Sequence, residues 1–165
     1  MEVSYLEQLF EVGSHIIYPM HGAGVIEGLE EKEIQGKIRE YYVIRIPKND
    51  MQVLIPKDKI ANSNIRLVTD KLSTEDVLEI YHNGESDSSL SWKERYKINS
   101  DKVKSGKFKE GAEVVRDLLR IQKGKTLNSS EKQMLDSARK LFVGELEVSR
   151  GITEDQASQL LNQSM

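Results

Sequence analysis

The chain has 165 residues, 38% of them hydrophobic, with 24 lysines and arginines against 27 acidic residues for a net charge of −3; that is the balance of a globular protein built as one large domain or two small ones. No cysteine occurs, which excludes disulfides, thiolate metal sites and cysteine nucleophiles and makes a reducing cytoplasm the expected setting. No apolar run approaches the roughly 18 residues of a membrane span, and the opening MEVSYLEQLFEV lacks the basic and apolar blocks of a secretory signal.

From Phe10 to about Val68 the apolar residues come in short β-rich runs, "HIIYPM", "GAGVIEGLE", "REYYVIRI", "MQVLIP" and "NIRLV". Gly22 and Gly24 permit tight turns, Gln35-Gly36-Lys37 links two runs, and Lys48-Asn49-Asp50 separates two more at hairpin distance. About five short antiparallel strands in this length predict a small barrel or a strongly bent sheet.

After Asp70 the pattern changes to helix starts and 3.6-residue periodicity. Ser73-x-x-Asp76, Ser91-x-x-Glu94, Asn128-x-x-Glu131 and Thr153-x-x-Gln156 resemble capping boxes. Helices are predicted near 73–82, 91–104, 107–123, 129–149 and 153–161, separated by the polar stretch "HNGESDSS" and by breaks at "KSGKF" and "KGKTLNSS". A β domain, residues 1–70, thus precedes an all-α domain, residues 71–165, in an α+β chain. In the helix over 107–123, Phe108, Ala112, Val115 and Leu119 form a core stripe, while Lys109, Glu113, Arg116, Arg120 and Lys123 share a mainly basic face.

Charge is unevenly spread. Residues 71–91 hold one basic residue against five acidic ones, whereas residues 92–125 hold 11 against 5, a local footprint for a polyanion inside an acidic protein. The only tryptophan opens that basic segment, in "LSWKERYKI". With Ser91 as cap, Trp92 is the first helical residue. It either packs with Tyr96, one turn along, into a neighbouring helix, or stands exposed as an apolar wedge ringed by Lys93, Arg95 and Lys97, able to unstack a base step while the cations hold phosphate. A run of charges is, on the plainer reading, a solvated helix face.

Other chemistries find no support. His15, His21 and His82 have no ligand spacing, and a turn or interface role is expected for His21. Gly22-Ala23-Gly24 lacks the Gly-Lys-Ser/Thr and helix that cradle phosphate. No nucleophile elbow or acid/base pair organises the serines and carboxylates, so neither an enzyme nor a cofactor, metal or small-molecule substrate is expected.

The stretch "FEVGSHIIYPMHGAGVIEGLEEKEIQGKIREYYVIRIPKNDMQVLIPKDKI", above all Tyr18 to Gly24, resembles the N-terminal domain of bacterial CarD/CdnL transcription regulators. "SWKERYKINSDKVKSGKFKEGAEVVRDLL" and "LNSSEKQMLDSARKLFVGELE" are similar to the family's C-terminal domain, so the resemblance covers about residues 10–150. A related N-terminal domain occurs in transcription-repair coupling factors, whose helicase motifs are absent here. The resemblance implies a Tudor-like β domain that docks on the β subunit of bacterial RNA polymerase, through a face near Lys32 and Leu54. It also implies a helical domain at promoter DNA near the upstream edge of the unwound region, with Trp92 as a minor-groove wedge that holds the open complex without sequence-specific readout. Arg95, Lys97 and Lys132 match phosphate-contacting positions of the family, and Arg120 and Lys123 join them from the basic stripe. Leu54 and Glu94 stand where relatives carry basic residues. The competing class is a polymerase adaptor that never touches DNA.

Overall fold

Short β-rich apolar runs between His15 and Leu67 build five antiparallel strands: β1 (His15–Tyr18), β2 (Gly22–Ile34), β3 (Lys37–Ile46), β4 (Met51–Pro56) and β5 (Arg66–Leu67). They hydrogen-bond in the order β4-β3-β2-β1-β5. The computed structural model describes residues 10–162, and the two terminal segments, 1–9 and 163–165, lie outside the described residues. The chain divides into two compact units, Met1–Val68 and Thr69–Met165. Strands followed by helices form the α+β arrangement with a Tudor-like N-terminal sheet.

Turn chemistry sets the strand register. Gln35 and Gly36 both take left-handed backbone, φ 54° and 78°, the geometry of a two-residue hairpin turn that matches the twist of its strands, and Ile34 consequently pairs with Lys37. The β2–β3 hairpin is longer than the short runs suggested, 13 and 10 residues, because charged residues continue the ladder beyond the last buried position. Ile26 pairs with Ile44 and Gly28 with Val43, so Glu27 is an extra residue in a bulge. The main apolar cluster gathers Phe10, Ile16, Ile26, Tyr42, Ile44, Ile46, Ile55, Ile60 and Ile65, and Tyr41 and Val43 are buried on the opposite face of β3. Gly22, with its φ of 107°, opens β2 opposite Tyr18, and Gly24 is not a turn residue either. It lies within β2, where an added Cβ would come 2.8 Å from the Arg45 carbonyl oxygen and 3.2 Å from the Ile46 side chain.

The second unit has five helices among the described residues: α1 (Lys71–Asn83), α2 (Trp92–Ser105), α3 (Phe108–Gly124), α4 (Ser129–Arg150) and α5 (Glu154–Asn162). Asp70 caps α1 by accepting from the Ser73 amide at 2.8 Å, so the helix starts two residues before the expected Ser73 box. That bond holds the Asp70 carboxyl below its ordinary pKa. Ser91, Asn128 and Thr153 cap α2, α4 and α5 as their spacing predicts.

Val77, Leu78 and Tyr81 of α1, Phe108, Ala112, Val114, Val115 and Leu118 of α3, five apolar positions of α4 and Ala157 and Leu161 of α5 make one core with Leu127. Helix α2 supplies only the partly buried Val103. Buried Glu145 on α4 accepts from both the amide and the hydroxyl of Thr69, at 2.9 and 2.7 Å, which satisfies the start of the unit.

Replacing Gly24 by Ala forces a methyl group against backbone, and such overpacking costs about 1–3 kcal/mol. A urea denaturation curve for Gly24→Ala should show the midpoint of the β unit lowered. An unchanged midpoint would mean that β2 and β3 do not approach this closely.

Candidate nucleic-acid interface

The mouth of α2 is held by a reciprocal capping box. The Glu94 amide donates to Ser91 Oγ at 3.3 Å, and the Ser91 amide donates to Glu94 Oε2 at 3.1 Å. Glu94, the departure from a basic residue, therefore has a local task that no cation could perform, since only an acceptor can satisfy the Ser91 amide. Trp92 follows the cap as first helical residue and leaves 50% of its surface exposed. The alternative of Trp92 packed with Tyr96 in the core is overturned: the indole belongs to neither apolar cluster.

The cations sort into two groups. Lys97, on α2, and Lys132, in the first turns of α4, are exposed and in no ion pair among the described residues, and Lys93 is exposed beside Trp92. Lys123 is exposed in the last turn of α3. Arg95 and Arg120, expected as phosphate contacts from the resemblance and the basic stripe, both donate to protein acceptors. Arg95 Nε and Nη2 donate to the two carboxylate oxygens of Glu131 at 2.7 and 2.9 Å, with side-chain exposure of 11% for Arg95 and 2% for Glu131. The pairing raises the guanidinium pKa above its ordinary value.

Arg120 donates to the carbonyl of Gly84 at 2.6 Å, to Ser86 Oγ at 2.9 Å and to the carbonyl of His82 at 3.3 Å. Arg116, read as a basic surface residue, is buried and donates to the carbonyls of Ile80 and Glu85 and to Asp117. Asp117 in turn accepts from Ser86. Arg116 and Arg120 of the basic face thus clamp the last turn of α1 and the α1–α2 loop, while Lys109 and Lys123 are exposed. Spacing along one helix could not reveal Glu131 as the partner of Arg95, because the two are 36 residues apart.

In the β unit, Lys32 pairs across the ladder with Arg39, and Leu54 with Val43. Arg39 and Val43 are four residues apart on β3, so Lys32 and Leu54 share one sheet face, separated by about 13 Å along the strands. Both are exposed; Lys32 lies 3.9 Å from Glu30, and Tyr41 and Val43 on the same face are buried. His21 stands exposed with its ring edge-on to Tyr18 at 4.8 Å, and its carbonyl accepts from Asn49 at 3.0 Å, joining two turns. Among the described residues no group of three or more His, Asp or Glu side chains could hold a metal ion, and no helix is long and apolar enough to cross a membrane.

Residues 10–69 match the family model of the CarD-like/TRCF RID domain, and residues 76–162 match that of the CarD C-terminal domain. The chain belongs to the CarD family. It is similar to "Putative transcription factor YdeB" of Bacillus subtilis (strain 168), with 55% identity over 148 residues that span 90% of this chain and 97% of the relative. Membership of this transcription-factor family supports a role in regulating transcription.

In this CarD-family chain Arg120→Ala should expose the 84–86 loop. Loss of its bonds costs about 1 kcal/mol, a fall of roughly 4–8 °C in the thermal midpoint of a unit of this size, with faster amide exchange at Gly84 to Ser86. Exchange as slow as in the wild type would show that Arg120 does not hold the loop.

Proposed function

We propose that the chain regulates transcription initiation by docking its β unit on the β subunit of bacterial RNA polymerase and pressing Trp92 into the minor groove at the upstream edge of the open promoter. The observation that carries this reading is the half-exposed indole at a capped helix mouth, with Lys97 and Lys132 uncommitted nearby in sequence or on the first turns of a neighbouring helix. Lys123 joins these phosphate contacts, and Lys32 and Leu54 mark the polymerase-facing side of the sheet. The matched RID and CarD C-terminal models support the pairing of these two tasks in one chain.

Magnitudes say where the wedge acts. Half of an indole is about 125 Å², and burying it at about 25 cal/mol per Å² yields roughly 3 kcal/mol. Unstacking one base step costs a few kcal/mol. The two nearly cancel on intact duplex, so insertion favours DNA that is already distorted, as it is where a bubble meets duplex. Two or three lysines add a salt-sensitive but sequence-blind contribution. Weak contacts of this size become effective when polymerase binding raises the local concentration of the wedge beside the promoter.

The second reading, an adaptor that binds polymerase without touching DNA, is favoured by the net charge of −3 and by the commitment of Arg95 and Arg120 to protein acceptors. One experiment separates them. Trp92→Ala, assayed by capture on polymerase and by open-complex decay on one promoter, should retain capture and shorten the lifetime roughly threefold to tenfold, the part of the burial energy left after unstacking. Unchanged decay with intact capture would leave the adaptor.

A further inference from the structure

We propose that Arg95 and Glu131 are positioning residues for the indole: their buried bidentate pair aims the mouth of α2, so that Trp92 and Lys132 are presented together. The inference rests on the wedge reading above but concerns a different link, the one between protein geometry and the orientation of the wedge.

Helix α2 has little apolar hold on its unit. Val103, in its last turn, is its sole contribution to the apolar core, and its one buried side chain is Asn99, whose amide nitrogen has no partner. Lys102 reaches Glu113 at 3.7 Å, again near the C-terminal end. At the N-terminal end the Arg95 pair takes over. Arg95 is three residues beyond Trp92 and therefore a neighbour on the same side of the helix, so fixing its guanidinium limits how far the helix mouth can swing.

The anchor itself is stiff. Glu131 is the third residue of α4; its amide donates to Asn128 Oδ1 at 2.9 Å, and its Oε1 accepts from Asn128 Nδ2 at 3.2 Å as well as from Arg95. One carboxylate thereby joins the first turns of α2 and α4, and Lys132 is the next residue along. A planar guanidinium on a carboxylate fixes direction as well as distance, which an ammonium does not. Buried ion pairs contribute little net stability compared with apolar packing but can specify one arrangement, which is the role inferred here.

Trp92 is the sole tryptophan, so its fluorescence reports its orientation in the free full-length chain without DNA or polymerase. Arg95→Lys keeps the charge and loses the fork, and Glu131→Gln keeps the shape and loses the charge. In both, helical circular dichroism measured below the melting temperature should persist while indole anisotropy falls and acrylamide quenching rises by up to about twofold, since half of the residue's surface is exposed at the start.

Open-complex lifetime should fall roughly twofold to tenfold with polymerase capture intact, and neither substitution should shorten it further in the Trp92→Ala background, because a pair that acts through the indole has no effect once the indole is gone. Unchanged anisotropy and quenching in the folded variants would overturn the proposal. So would loss of fold by both, which would make the pair a requirement of the core, and so would full additivity with Trp92→Ala. If the indole loosens while Trp92→Ala itself leaves the lifetime unchanged, the positioning stands and the wedge reading fails.

Discussion

Helix α2 is joined to the rest of its unit by charge more than by apolar packing, and the presentation of Trp92 depends on that attachment. Its sequence is too polar to bury a stripe: four lysines, an arginine, Glu94 and Asp101 leave Val103 as its link to the core. The bidentate Arg95–Glu131 pair supplies the missing hold at the end where the indole sits. The capping box finishes the helix mouth from the other side, since Ser91 and Glu94 satisfy one another's amides and leave the first helical position free to project outward. Exposure of a large apolar side chain is thus a consequence of local chemistry and not a packing defect.

The same economy of charge limits what the helical unit can do alone. Removing Arg95, Arg116 and Arg120 from the cationic surface leaves a thin scatter of lysines on a protein with a net charge of −3. Under the proposed function such a surface holds free duplex only weakly, because few phosphates are neutralised, and the salt dependence of that contact is correspondingly shallow. This weakness is useful. A chain that held DNA tightly by itself would occupy the whole genome, whereas one that is effective only beside polymerase acts at promoters. Glu94 fits the same account, because the position serves the helix cap and leaves phosphate to Lys93 and Lys97.

Much of the fold was legible because local signals agreed. Three of the four capping motifs fall at the ends they predict, and Gln35-Gly36 turns the longest hairpin as its φ-permissive pair suggests. Asp70 displaced Ser73 as the cap of α1 because an acid two residues before the apolar pattern begins can reach the Ser73 amide equally well. Gly24 reads as a turn residue in the sequence, since a glycine demanded by close approach of a neighbouring strand looks the same in one dimension as a glycine demanded by backbone angle.

The site was less legible than the fold. Periodicity correctly placed Arg116 and Arg120 on one side of α3, but it carries no record of the α1–α2 loop that brings the carbonyls of Gly84 and Glu85 to that side. Glu131 was readable as a cap member and not as the partner of Arg95, a contact that only the tertiary structure creates. Whether Trp92 was buried could not follow from its position either, because the first residue of a helix can face core or solvent depending on what packs beside it.

The most direct test is a cryo-EM reconstruction of the chain bound to RNA polymerase on an open promoter. The account predicts the indole of Trp92 in van der Waals contact with an unstacked base step in the minor groove at the upstream bubble edge, Lys97 and Lys132 beside phosphates, and Arg95 still on Glu131. A complex in which the sheet face of Lys32 and Leu54 meets polymerase while the indole touches only protein or solvent would contradict it.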